Sequence, residues 1–224
     1  MTTSSSTTSS STTSTTTTST RRAPASVPLG TADRALLGLH LRDHARAMAE
    51  LEAQVPVIER WGRELANRLG RGQRLLVAGN GGSAAEAQHL SSEIVGRFDG
   101  ERAPFSALAL NAESSSVTAI GNDYGFEQVF ARQVTAHARS GDVVVLLSTS
   151  GRSPNLVAAA RAGVRAGAAT WALTGEGPNP LTRASAESLA LPGTAASVQE
   201  AQLVAIHLLC RVFDHAIATA GRSS

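Results

Sequence analysis

The chain has 224 residues, a formal net charge of +2, and only one cysteine, one tyrosine, two tryptophans and five phenylalanines. With Cys210 alone, a disulfide framework and a cysteine-rich metal site are excluded. The basic residues are scattered, with Arg21 and Arg22 the only adjacent pair, and aromatic residues are too sparse for a base-stacking platform, so no nucleic-acid partner is expected.

Positions 2–20 are all Ser or Thr, a run with no apolar side chain to offset the entropy of ordering it. Positions 1–29 therefore read as a disordered tail and 30–220 as one globular domain. The tail lacks the hydrophobic segment of a secretory signal, and no later run reads as a membrane span, so a cytoplasmic location without a membrane partner is the expectation.

In chain order, positions 31–50 and 53–69 show helical spacing of apolar residues and read as a helical hairpin, with Pro56 near the start of its second arm. Its surplus of leucines suits packing on a partner as well as on the domain. Short apolar runs then alternate with helical patterns: strands at 74–78, 105–110, 142–147, 169–173 and 188–191, and helices at 83–95, 113–120, 126–138, 154–166 and 197–219. Repeated apolar strands separated by helices predict an α/β three-layer sandwich with a central parallel sheet, and functional groups beyond the carboxyl ends of its strands. Cys210 falls in an apolar helical pattern and reads as core.

Two strand exits carry polar chemistry. LLVAGNGGS places Asn80, Gly81, Gly82 and Ser83 between a strand and a helix, where close backbone approach and free amide hydrogens attract anionic oxygens. It is neither a complete phosphate loop nor a dinucleotide fingerprint, which removes the warrant for ATP hydrolysis or hydride transfer. VVVLLSTSGRSPN supplies Ser148, Thr149, Ser150 and Ser153 around Gly151, enough hydroxyls and amides to surround a phosphate. Ordinary helix capping accounts for one such serine; the cluster points to a phosphorylated small molecule.

His89 and Glu93 lie four residues apart, roughly 40° around a helix, and Gln199 and His207 eight apart, roughly 80° around another. Two helices could present all four to one point. Imidazole, carboxylate and amide groups bind borderline divalent ions such as zinc, yet each histidine taken singly fits a packed or surface role better than a ligand's.

The ordered set GNGGS at 79–83, HLSSE at 89–93, GNDYGF at 121–126, STSG at 148–151 and Gln199 with His207 resembles the sugar-isomerase (SIS) domain of the phosphoheptose isomerase family over residues 33–220. The resemblance implies isomerisation of D-sedoheptulose 7-phosphate to a D-glycero-D-aldoheptose 7-phosphate, of manno or altro configuration. It implies zinc held by His89, Glu93, Gln199 and His207, and acid–base roles for Glu93 and His207. Substrate contacts would come from Asn80, Gly81, Gly82, Ser83, Glu93, Asn122, Asp123, Ser148, Thr149, Ser150, Ser153 and Gln199. It further implies a homotetramer with active sites between subunits. Another phosphosugar ketose–aldose isomerase and a non-catalytic regulatory SIS protein are the alternative readings. Arg152 stands where the family commonly has Asn, Ser197 where it often has Arg, and Ala196 where some members have Asp.

Overall fold

The computed structural model describes residues 30–221. The Ser/Thr tail at 1–29 lies outside the described residues. Two long helices open the domain, α1 (Thr31–Ala53) and α2 (Val55–Gly70), with Pro56 in the first turn of α2, where its missing N–H leaves no bond unmade. There follow β1 (Leu75–Gly79), α3 (Gly82–Val95), β2 (Ala107–Ala109), α4 (Ser114–Tyr124), a 3-10 turn (Phe126–Gln128) and α5 (Val129–His137). The second half contains β3 (Val143–Ser148), α6 (Pro154–Arg165), β4 (Ala169–Gly175), α7 (Pro180–Ala184), β5 (Glu187–Leu191) and α8 (Ala195–Ala220).

The five strands form one sheet in the order β2-β1-β3-β4-β5, every pair parallel. Strands β1 and β3 are buried along their whole length, as the unbroken apolar runs LLVAG and VVVLLS require when helices cover both faces. One face packs against α2, α3 and α8 around Leu65, Val77, Leu90, Val145 and Phe213; the other packs against α5 and α6 around Leu76, Val134, Leu146 and Leu156. On the first face Trp61 of α2 stacks on Trp171 of β4, ring centroids 4.9 Å apart and planes 5° from parallel, while the Trp61 indole N–H donates to Glu187.

Helix α8 corrects one expectation: by length and hydropathy it does qualify as a candidate membrane span. Here it is the core helix of the domain, packing on α1, α2, α3 and β4 and burying Val198, Ala201, Ile206, Leu209 and Phe213. Cys210 is 1% exposed within that core, and burial, aided by the charges of Glu93 and Asp214, pushes its thiol up to about 12.

Strand order reverses between β1 and β3: the chain leaves β1 for β2 on one side and leaves β3 for β4 on the other. In an open parallel sheet the crevice outside the carboxyl ends of such a pair is the natural ligand site. The two polar turns singled out in the sequence, at 79–83 and 148–154, are the exits of these strands.

Candidate active site between two strand exits and two helices

Each exit turn is shaped by its backbone. Gly81 caps α3 at φ 57°, a left-handed conformation favouring glycine. In the second turn Gly151 has φ 61°, its N–H donates to Ser148 Oγ at 3.1 Å, and a Cβ there would run into the Asn179 side chain. Asn179 is held in turn by accepting the N–H groups of Leu181 and Thr182 and donating to Thr174 Oγ1. Ser148 and Ser153 face each other with hydroxyls 3.4 Å apart, while the exposed Ser150 accepts the N–H of Arg152 at 3.2 Å. Thr149 continues the same turn, half-buried. Four hydroxyls therefore surround the start of α6, whose N-cap residue Ser153 makes no side-chain capping bond.

The two turns are bolted together. Asn80 and Asn155 exchange a reciprocal pair of amide hydrogen bonds, 3.0 and 2.9 Å, across the crevice. The Asn80 side chain thus acts as a brace, leaving the turn's approach to an anion to its backbone.

The candidate acid–base and metal-ligating groups sit along the seam of α3 and α8, half-buried. His89 and His207 meet Nε2 to Nε2 at 3.0 Å, and His89 Nε2 lies 3.3 Å from Glu93 Oε1. Three of the four groups expected to converge do so. Gln199, two turns nearer the N-terminus of α8, instead packs on Gly82, where a Cβ would collide with its amide, and lies beside Glu86. Among the described residues no group of three or more His, Cys, Asp or Glu side chains is already arranged around a metal position. The donors are nonetheless of the right kind: two imidazole nitrogens and a carboxylate suit a borderline divalent ion. Asn122 and Asp123 lie on the exposed end of α4, hydrogen-bonded to each other at 2.8 Å.

One group escaped the sequence reading. Glu86 of α3 is 6% exposed and both its carboxylate oxygens lack a hydrogen-bond partner among the described residues. Burial raises its pKa to about 7; Ser83 and Gln199 lie close enough to pull the value down but close no well-formed bond to it. Its position was a usable signal: three residues before His89 and seven before Glu93, on the same helix face.

The chain is similar to known proteins over most of its length. Residues 40–175 match the SIS domain family. The phosphoheptose isomerase of Streptomyces coelicolor is 58% identical over 173 residues, covering 76% of this chain and 74% of the relative. That of Solidesulfovibrio magneticus is 44% identical over 181 residues, covering 80% and 89%. Among solved structures, a phosphoheptose isomerase from Francisella tularensis superposes with a TM-score of 0.76 at 30% identity, covering 81% of this chain and 98% of that one. One from Neisseria gonorrhoeae gives 0.73 at 34% identity with the same coverage.

Proposed function

The chain belongs to the SIS-domain family and, within it, to the phosphoheptose isomerases, and from that premise we propose that it interconverts D-sedoheptulose 7-phosphate and a D-glycero-D-aldoheptose 7-phosphate, manno or altro. It is an aldose–ketose isomerase acting on a phosphorylated sugar. The observation that carries this reading is a carboxylate and an imidazole, Glu93 and His207, brought by α3 and α8 to one nitrogen, Nε2 of His89.

The phosphate is held by the hydroxyls and amides of Ser148, Thr149, Ser150 and Ser153, with Gly81, Gly82 and Ser83 lining the facing wall and Asn80 bracing it. Glu93 removes a proton from C1 of the ketose, and His207 donates one to the oxygen on C2, giving a cis-enediol. A second pair of transfers completes the reaction: C2 receives the proton held by Glu93 while the hydroxyl on C1 gives its proton back to His207, leaving the aldehyde at C1. Oxidation at C1 and reduction at C2 balance within one substrate, so no organic redox cofactor is consumed. His89, Glu93 and His207 would hold a zinc ion, whose Lewis acidity would favour negative charge on a substrate oxygen; Gln199, the fourth ligand that the resemblance implies, rests against Gly82 here and would have to swing toward them.

The working form we propose is a cytoplasmic homotetramer with sites completed between subunits. Leu36, Leu37, Leu39 and Leu41 of α1 are all at least half exposed, and a groove lined by Ala45, Met48, Leu51, Val55, Val204 and Leu208 runs alongside. Apolar surface of that extent supports coverage by further copies.

The test is incubation of zinc-loaded protein with sedoheptulose 7-phosphate in deuterated water, followed by NMR. Aldose anomeric signals and deuterium at C1 or C2 are expected. Absence of both from folded, metal-loaded protein overturns the assignment.

A further inference from the structure

Both proposed acid–base groups are touched by one short loop that has no role in the scheme above. Between α3 and β2, residues 96–105 fold back over the seam. Arg102 is the anchor, its side chain 7% exposed and paired at 2.6 Å with Asp214 of α8, itself 14% exposed. The same guanidinium donates to the main-chain carbonyls of Glu93 at 2.5 Å, Ile94 at 3.0 Å and Ala103 at 3.0 Å, and lies over the Phe213 ring at 5.2 Å. It therefore closes the carboxyl end of α3, where helix carbonyls have no partner of their own, at the residue whose side chain is the proposed base. Four residues earlier in the loop, the Phe98 ring packs on the His207 ring, centroids 5.5 Å apart and planes 33° apart. Asp99 N–H donates to the second oxygen of Asp214, tying Phe98 and Arg102 to one carboxylate.

A buried ion pair is poor value for stability, because desolvation cancels most of its Coulomb gain. Here its geometry does something a hydrophobic pair could not. A planar fork fixes several acceptors at once, and those acceptors are the last turn of α3 and the side of α8. Proton transfer to and from carbon tolerates little misplacement, so a device that fixes the Glu93 backbone and the plane of the His207 ring together is of direct use to this reaction.

We infer that the 96–105 loop is the positioning element of the reaction centre, with Arg102 setting Glu93 and Phe98 setting His207 and Asp214 anchoring the loop that carries both. The inference rests on the acid–base reading of Glu93 and His207 and adds the residues that aim them.

The decisive variant is Arg102→Lys, which keeps a cation beside Asp214 but cannot bridge it to the Glu93 and Ile94 carbonyls. With sedoheptulose 7-phosphate, kcat is expected to fall about tenfold or more while KM stays within about twofold, because the phosphate turn at 148–153 is untouched. Phe98→Leu, which removes the ring packed on His207, is expected to lower kcat in the same way with KM little changed. Nitrogen-detected imidazole NMR of the metal-free protein supplies a readout independent of turnover. Both variants should move the His207 signal and leave His40 and His44, tied to Glu200 at 2.9 and 3.0 Å, in place. Unchanged kcat with an unchanged His207 signal overturns the inference, as does a fall in kcat accompanied by a matching rise in KM and a lowered melting temperature. Should the wild type turn over no sedoheptulose 7-phosphate, the proposed function fails while the imidazole signals still decide whether the loop sets His207.

Discussion

The proposed phosphate turn and the proposed reaction centre would solve different problems by different means. The turn is contiguous, 148–154, and its polar atoms are fixed by backbone: Gly151 bonded to Ser148, Arg152 N–H to Ser150, and Leu181 N–H to the Gly151 carbonyl at 2.9 Å. The centre is assembled from two helices whose key histidines are 118 residues apart, and its geometry depends on how α3 and α8 pack. An anion is satisfied by a concentration of donors that a local turn provides. Proton transfer between carbons needs particular atoms in register, which only long-range packing provides.

The largest expected effect falls on the centre alone. Glu93→Gln keeps size and one oxygen but removes the base, so proton exchange at C1 and C2 should drop by about 10²–10⁴ while phosphosugar binding persists. Near-normal deuterium incorporation by folded, metal-loaded Glu93→Gln would show that another group is the base.

Gly151→Ala should strike the turn instead. The left-handed φ of 61° and the collision with Asn179 together should cost about 2–4 kcal/mol of stability and loosen phosphosugar binding. Zinc binding should be retained. Calorimetry of the variant with zinc and with substrate separates the two regions; loss of zinc alongside phosphate would show that they are not independent.

Glu86, lying between the two, gives a pH-dependent effect. Unfolded, it ionises near 4.5; folded, only near 7, because burial resists the charge. Its destabilising contribution is therefore absent below the lower value, grows as pH rises between the two, and is complete above about 7. In metal-free protein Glu86→Gln should add about 1–3 kcal/mol at about pH 8 and little near pH 4.5. Urea unfolding at both values checks this, and a gain that does not change with pH would place the raised pKa elsewhere.

The smallest effect sharpens the turn. Ser150→Ala should weaken phosphosugar binding by about 1 kcal/mol and leave the unphosphorylated sugar unaffected. Equal losses for both ligands would remove Ser150 from the cradle.

The same division governs what could be read without coordinates. The strands were visible because apolar runs such as VVVLLS must be buried on both faces, and the turns because glycine and hydroxyl residues interrupt them. Edges were less visible. Positions 105–110 read as a strand, but only Ala107–Ala109 pairs, because Phe105 turns aside to meet Phe213 edge-on and gives its N–H to Ile94. The predicted helix at 126–138 opens with a 3-10 turn because Gly125, at φ 83°, ends the preceding helix. Strand β4 runs two residues further than expected, since Thr174 and Gly175 pair with Ala190 and Leu191.

At the site, spacing on one helix foresaw that His89 and Glu93 share a face, and resemblance supplied the ligand set. Neither could say that Gln199 would rest on Gly82, since that depends on the slide of α8 along α3. Arg102 carried no local signal at all: its role exists only where α3 ends against Asp214.

The stacked Trp61 and Trp171 are the chain's only tryptophans, and they sit where α2 meets β4, on the sheet face covered by α2 and α8. Intrinsic fluorescence and near-ultraviolet dichroism of this protein consequently have a single dominant reporter, two stacked indoles whose coupled dichroism is lost and whose emission changes when α2 lifts from the sheet. A melting curve followed by tryptophan is thus a record of that one docking event, and rearrangement of the substrate turns can pass beneath it unseen.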